Sequence, residues 1–418
     1  MPSSPRPIPP GIPARRAALT MLDAVLRRGQ TLDSASESHR IPLEADDRRL
    51  ALAIAGETLR RLPALDAMID SRTRQNLPED SKARMVLRLA LAQKMALDVP
   101  DHAIVATALL LVDGGPRRLV HGVLGALLRG KLEASTPLPK PVEERWRKAW
   151  GEGVVEAARR TILQRPPLDL SFRDEATAQE YPLGVSLASK HRRIESAAVP
   201  GLPGFGEGGW WVQDLASSLP ARLIPQSAKE VLDLCAAPGG KTMQLAAAGH
   251  DVTALDRSKS RLARLRDNLD RTGLEAETVV ADALEWRSVE NYDAVLVDAP
   301  CSATGTFRRH PEVLYRARDS IIAASAEQQG QLLDRAAELV CVGGSLVYAV
   351  CSLEPEEGEM QVLSFLERNG DFHIEPAELG IAGISAESEG WVRALPGLLE
   401  EQGGLDGFFT AHLVRSAA

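Results

Sequence analysis

Cysteine is scarce: the 418 residues hold four, Cys235, Cys301, Cys341 and Cys351, all in the second half and none at CxxC spacing. So few thiols, so far apart, exclude a disulfide framework and a paired-ligand zinc site, and no metal is expected. Long apolar runs are also missing, since nothing approaches the roughly 20 residues of a membrane helix. The opening stretch MPSSPRPIPPGIPARR has Pro and Arg where a secretory signal carries its apolar segment. A cytoplasmic, monomeric protein with no membrane partner is the expectation. An overall basic excess is absent too, for the net charge is −8. Taken alone, that balance disfavours a nucleic-acid partner, because Lys and Arg supply most non-specific affinity for phosphate. Residues 1–135, however, hold 20 Lys/Arg against 15 Asp/Glu, a balance of +5 that leaves −13 for the remainder. The basic charge gathers in the first third, as expected if that part meets phosphate.

A chain of this length, 44% hydrophobic and 25% charged, divides into two or three domains, each able to bury a core. From Pro13 to Lys131 apolar residues recur at helical spacing (Leu19, Leu22, Val25, Leu26; Leu50, Ile54, Leu59; Met85, Leu89, Met95; Leu119, Val120, Val123, Leu124, Leu127) with almost no β signal. About five helices are predicted, broken at Gly29, Pro63, Pro100 and Gly114-Gly115-Pro116. The stretch STPLPKP, from Ser135 to Pro141, reads as a linker. The expected organisation is an all-α domain over 1–135, a linker and small mixed connector over 136–215, and an α/β domain over 216–418. In the last, strands alternate with helices, which implies a mostly parallel sheet of Rossmann type covered on both faces. Strands are predicted at Glu230–Cys235, Asp251–Asp256, Glu277–Asp282, Tyr292–Val297, Ser345–Cys351 and Gly407–Val414. No internal repeat is evident.

The segment VLDLCAAPGGKT, Val231 to Thr242, is an apolar strand running through a small-residue turn into a helix. Such turns bring a ligand close to backbone N–H groups. This one lacks both GxGxxG and the P-loop spacing, so neither a dinucleotide nor a nucleoside triphosphate is the natural ligand. Asp256 closes the next strand, where a carboxylate can accept from both ribose hydroxyls, and Asp282 closes the third, beside an adenine. A nucleoside cofactor without pyrophosphate is S-adenosylmethionine. Its predicted site comprises Cys235, Ala236, Ala237, Pro238, Gly239, Gly240, Lys241, Asp256, Asp282 and Asp298.

Two further motifs sit at strand ends: DAPCSATGTFRRHP, Asp298 to Pro311, and VCSLEPEEGE, Val350 to Glu359. Reacting groups in open α/β sheets gather at the carboxyl ends of strands, so Cys301 and Cys351 should face one crevice. With DLCAAPGGKT, DAPCS and CSLEPEEGE in that order, the region Trp211 to Val414 resembles the RNA cytosine-5 methyltransferases of the RsmB/NOP2/Sun type, class I enzymes of Rossmann-like fold. ATGTFRRHPEV and the helical region ahead of it look most like the RsmB branch, which acts on 16S ribosomal RNA. Arg15 to Lys131 is similar to NusB-like RNA-binding domains, and DGFFTAHL resembles the family's closing strand. Val350 departs from the pattern, since the family commonly has Thr before its nucleophile.

The resemblance implies a division of labour. Carbon 5 of cytosine attacks a sulfonium methyl poorly until a thiolate adds to carbon 6. Cys351 would be that nucleophile. Asp298 would meet the N3 edge of the base where charge develops, and Cys301 would help remove the C5 proton. Because the base face must be reached, the target cytosine is expected unpaired or flipped out. Arg308, Arg309 and His310, after the Cys301 loop, are predicted to hold flanking RNA phosphates. The motifs leave a transfer RNA substrate open beside the ribosomal one. A non-catalytic assembly factor of the same fold would have no use for both thiols and the cofactor acids.

Overall fold

The computed structural model describes residues 11–38, 43–130, 132, 137–195, 197–288 and 291–416. The first ten residues, and Ser135 and Thr136 of the Pro-rich stretch, lie outside the described residues. Contacts divide the chain into two compact units, Met1–Arg145 with His310–Arg316, and Trp146–Arg309 with Ala317–Ala418.

The first unit is helical. Among the described residues its N-terminal part forms Ile12–Arg28, Leu32–Glu37, Ala45–Arg60, Leu62–Asp70, Lys82–Ala96, Asp101–Leu109 and Gly114–Leu128. That is two helices more than the periodicity suggests. The short Leu32–Glu37, capped by Thr31 on the N–H of Ser34, is too brief to show a period. Pro63 begins a helix instead of separating two long ones, because proline is tolerated in a first turn. Gly29 ends the first helix in the left-handed region at φ 67°, as a C-terminal glycine should. Met21, Leu22, Val25, Ile54, Leu59, Val86, Leu87 and Leu124 are buried in one core. Arg84 and Arg88 are buried as well, with Arg84 bonded to Asp66 at 3.0 Å and Asp70 at 2.7 Å and Arg88 to Asp66 at 2.7 Å. Part of this unit's basic charge is therefore internal. The segment His310–Arg316 belongs here through three bonds: Tyr315 Oη donates to the Leu59 carbonyl (2.7 Å), Leu32 N–H to Glu312 (3.2 Å), and Arg316 to the Gly29 carbonyl (2.7 Å).

The second unit begins within the helix Lys140–Trp150 and continues through Glu152–Thr161. A small antiparallel sheet follows, of β1 (Leu168–Phe172), β2 (His191–Ile194) and β3 (Trp210–Val212) in the order β2-β1-β3. This connector clusters with the α/β part and forms no third unit. The large sheet contains β4 (Glu230–Leu234), β5 (Asp251–Asp256), β6 (Glu277–Val280), β7 (Tyr292–Asp298), β8 (Val340–Val350), β9 (Phe372–Glu375), β10 (Val392–Ala394) and β11 (Phe408–Arg415). Its order is β10-β11-β8-β7-β4-β5-β6, with β9 also on β11. From β6 to β8 every pairing is parallel, and β11 closes antiparallel on β8. β9 and β10, of four and three residues, were not predicted, and both pair with β11.

Side chains alternate across the central strands, and both faces are apolar because helices cover both. Leu232, Leu234, Val295, Val297 and Tyr348 pack with Leu332, Leu333 and Ala336 of the helix Asp319–Leu339. Val231, Leu296 and Val347 pack on the other face with Leu215 and Leu219 of the helix Leu215–Arg222 and Leu245 of the helix Gly240–Ala248. β4 has β5 on one side and β7 on the other. The strand order reverses there, which opens a crevice beyond the carboxyl ends of β4 and β7.

Candidate active site

Beyond β4 the chain turns through Cys235, at φ 63°, and Gly239, at φ 106°, before the helix Gly240–Ala248 starts. A Cβ on Gly239 would stand 2.7 Å from Leu265 Cγ, so both backbone angle and space require glycine. Lys241 and Thr242, in the first turn, are buried. Thr242 donates to Asp233 at 2.6 Å, joining the helix to β4. Asp233 itself is fully buried, and burial pushes its carboxyl up to about 7. Sequence reasoning passed over this residue, although an acid inside an otherwise apolar strand is a visible anomaly.

Of the two acids predicted to bind the cofactor, Asp256 is the last residue of its strand and Asp282 lies two residues beyond its own. Asp256 ends β5, is 1% exposed, and accepts from the N–H groups of Ser258 (2.7 Å) and Ala237 (3.3 Å) and from Arg261 (2.9 Å). Asp282 lies just past β6 and accepts from Leu284 N–H at 3.0 Å. Between them a narrow cleft is lined by Leu255, Ala281, Ala283, Pro300 and Leu332, an apolar slot flanked by carboxylates. An apolar slot between carboxylates has the polarity that a nucleoside presents, an apolar ring beside hydroxyl donors. Cys235 lines it too, with a thiol pushed up to about 12 by burial and by nearby Asp298 and Asp256, so it stays uncharged.

The slot continues into a cavity of about 500 Å³ lined by Cys235, Ala237, Arg257, Arg261, Asp298, Pro300, Cys301 and Cys351. Asp298 ends β7, and its Oδ2 accepts from Lys241 Nζ at 2.7 Å. Its other oxygen has no protein partner among the described residues. The two thiols follow adjacent parallel strands, and their sulfurs are 3.5 Å apart. Cys301 is held well above the ordinary thiol range, first by its hydrogen bond to Cys351 and then by burial. A larger concavity, about 930 Å³, lies at the amino ends of the same strands around Glu230, Asp251 and Tyr292 and contains neither thiol. Size does not select the site here; chemistry does.

The loops carrying the thiols are tied to each other. Gly305 N–H donates to the Cys351 carbonyl (3.0 Å) and Gly407 N–H to the Gly305 carbonyl (2.8 Å). A Cβ on Gly305 would fall 2.0 Å from the Gly407 carbonyl, so the start of β11 approaches only over a glycine. Glu357, Ser302 and Ser352 form a buried hydroxyl and carboxylate cluster beside the thiols. None of the three was singled out from the sequence, because serine and glutamate carry no signal of burial by themselves.

Agreement with the family model is as direct as the geometry. Residues 220–414 match the model described as 16S rRNA methyltransferase RsmB/F, and residues 12–129 match that of the NusB family. Along nearly its whole length the chain is 34% identical to ribosomal RNA small subunit methyltransferase B of Klebsiella pneumoniae (strain 342), covering 96% of this chain and 98% of that one. The chain belongs to the RsmB/F family of 16S rRNA methyltransferases. The namesake from Pseudomonas syringae pv. tomato is also 34% identical, with 97% of each chain covered. Among solved structures, that of PH0851 superposes with a TM-score of 0.75 at 25% identity over 98% of this chain and all of that one. The RsmB/F chain is thus a methyltransferase with S-adenosylmethionine as its cofactor, a NusB-like helical region and a Rossmann-like catalytic domain. The acids and the turn described above fit that cofactor, which supplies an electrophilic methyl group when bound.

The basic residues after Cys301 require a correction. Arg308 is 2% exposed and donates to the carbonyls of Gly403 (2.6 Å) and Leu405 (3.0 Å). Arg309 is paired with Asp214 (2.8 Å) and Asp406 (3.0 Å) and donates to the Pro167 carbonyl (3.0 Å). Both guanidiniums are consumed in fixing the Cys301 loop and are not free to meet phosphate. His310 is half exposed, with Nδ1 3.7 Å from Glu312 of the helical unit. Among the described residues no group of three or more His, Cys, Asp or Glu is arranged around a metal ion. No described helix is long and apolar enough to cross a membrane.

Proposed function

We propose that this enzyme methylates carbon 5 of a cytosine in 16S ribosomal RNA through a covalent bond between Cys351 and carbon 6. The observation that carries the reading is the pair of sulfurs 3.5 Å apart at neighbouring strand ends, with Asp298 lining the same cavity. One thiol would suffice for attack alone. A second one facing it is explained by a reaction with a distinct release step.

The sequence of events follows from the charges. The Cys351 sulfur adds to carbon 6, the C5–C6 π electrons move toward C5 and the N3 edge, and the base must be relieved of negative charge there. The Lys241 ammonium donates to Asp298 across 2.7 Å, and a proton can pass to N3 along this pair through the carboxylate. Carbon 5, now nucleophilic, takes the methyl group. Cys301 holds its proton while Cys351 is free, because that partner is the leading cause of its raised pKa. Once the Cys351 sulfur is bonded to carbon, this leading cause is gone, and Cys301 gives its proton to water before the C5 proton is taken. Its thiolate then removes the C5 proton, the C5–C6 double bond re-forms as the sulfur–carbon pair returns to Cys351, and N3 gives its proton back through Asp298 to Lys241. Val350 does not disturb this scheme, since its side chain is buried in the sheet core. The cytosine reaches the cavity unpaired or flipped out, and the enzyme acts as a monomer with its NusB-like region on the RNA.

The test is a pair of variants incubated with labelled S-adenosylmethionine and 16S RNA. Cys351→Ala is expected to abolish transfer, and Cys301→Ala to accumulate a protein–RNA complex that survives denaturant. Full transfer by Cys351→Ala would refute the mechanism. A product other than 5-methylcytosine on nucleoside analysis would refute the assignment of the atom.

A further inference from the structure

Cys301 and Cys351 are each followed by serine, and both serines lead to the same group. Ser302 and Ser352 donate their hydroxyls to the carboxylate of Glu357. The Ser302 N–H adds a third bond at 2.8 Å, and Gln329 of the helix Asp319–Leu339 approaches at 3.4 Å. The two hydroxyls are also 3.2 Å from each other. Glu357 and Ser352 are fully buried and Ser302 is 6% exposed, so water does not compete for these bonds. The serine on the Cys351 side is further fixed by the Glu354 N–H at 3.0 Å. On the other side, Tyr348 in β8 donates to the Glu357 carbonyl at 2.6 Å, anchoring the carboxylate's own backbone to the sheet.

A buried carboxylate with no cation among its bonds costs stability, and burial raises its pKa. Two apolar loops of the same shape would fold at lower cost. We propose that Glu357 is a positioning residue, setting the spacing of the two thiols by holding the residue after each of them on one carboxylate. The inference rests on the two-thiol reading above. Its chemical logic is that attack and release need sulfurs on the same carbon framework at fixed separation, and the strand ends alone leave the loops beyond them free to drift.

The experiment uses the full chain, 16S RNA and labelled S-adenosylmethionine, with wild type, Cys301→Ala and Glu357→Gln side by side. The amide of Glu357→Gln keeps the volume but turns one acceptor into a donor against groups that are themselves donors. We expect turnover to fall about 10- to 100-fold, the scale of a misplacement of roughly 1 Å. The fraction of enzyme trapped as denaturant-resistant RNA complex should rise above wild type, and cofactor affinity should stay within about twofold. A purely structural defect would lower adduct and turnover together and would weaken the cofactor, and that result overturns the inference. Wild-type turnover by Glu357→Gln overturns it as well. Should this variant fail to fold, Ser302→Ala combined with Ser352→Ala removes both hydroxyl bonds and leaves the backbone one. The same rise in trapped complex is expected of it, and wild-type behaviour would refute the link. If wild type forms no 5-methylcytosine and Cys301→Ala traps nothing, the two-thiol reading fails first and the inference falls with it.

Discussion

Asp233→Asn offers a test of the electrostatics beneath the cofactor turn. Asp233 is fully buried in β4, its Oδ2 accepts from Thr242 at 2.6 Å, and its Oδ1 has no partner. Its carboxyl rises from 3.8 to about 7, with burial first among the causes and nearby Asp298 and Asp256 adding to it. A raised carboxyl binds its proton more tightly folded than unfolded, so stability is full below the unfolded value and falls as pH climbs toward the folded one. A shift of about three units at 1.36 kcal/mol each makes the total penalty about 4 kcal/mol above neutrality. Asparagine keeps an oxygen for Thr242 and never ionises. The variant should therefore match wild type in acid and exceed it in base, the gap widening by about 2 to 3 kcal/mol between about pH 5 and about pH 8. Urea unfolding of both proteins across that range, followed by a signal from the catalytic domain, measures the gap. A gap that stays constant with pH, or a variant weaker than wild type at about pH 8, would show that the buried acid is not the origin.

Further consequences can be checked with single substitutions. Lys241→Met removes the cation 2.7 Å from Asp298 and should lower the transfer rate about 100-fold at saturating cofactor, as loss of a general acid does. Equal rates in a single-turnover assay would exclude the proton route through Asp298. Gly239→Ala combines a left-handed backbone with a contact at 2.7 Å to Leu265, whereas Gly249→Ala meets the same backbone cost in open space. Thermal unfolding should show the first to be worse by about 1 to 3 kcal/mol, and calorimetry should show weaker cofactor binding in the first alone. Arg309→Ala leaves the buried Asp214 and Asp406 carboxylates without their partly exposed cation and should cost about 3 kcal/mol of stability, the low end for breaking a buried pair. Its RNA affinity should keep the wild-type dependence on salt, whereas loss of a phosphate contact would reduce that slope by about one.

Most of the α/β sheet was legible because its strands are short apolar runs ended by Gly, Asp or Cys. The thiol pair was legible from two motifs, and topology turns their sequence separation of 50 residues into a 3.5 Å contact. What escaped the sequence has a common physical character. Arg308 and Arg309 look like phosphate ligands until tertiary structure supplies the carbonyls and acids that consume them. Glu357 looks like one more surface glutamate in EPEEGE until Ser302 and Ser352 close over it. Charge on a sequence carries no label of burial, and only the fold decides which arginine reaches solvent. β9 and β10 failed for a different reason: each is a short segment defined by its antiparallel pairing with β11, outside the alternation of strand and helix that marks the parallel part of the sheet.

The segment His310–Arg316 has a practical consequence for dissecting the enzyme. The chain leaves the catalytic unit directly after Arg309, contributes seven residues to the helical unit, and returns at Ala317. The two units are interleaved in sequence, so no single cut yields both intact. A fragment starting after the Pro-rich stretch would leave the Tyr315 hydroxyl without the Leu59 carbonyl and Glu312 without the Leu32 amide. Its exposed Leu314 and Tyr315 would sit 13 and 14 residues after Cys301, in the connection between β7 and β8. A catalytic fragment therefore carries seven residues whose bonding partners it has left behind, and a helical fragment ending before the linker lacks seven residues that complete it.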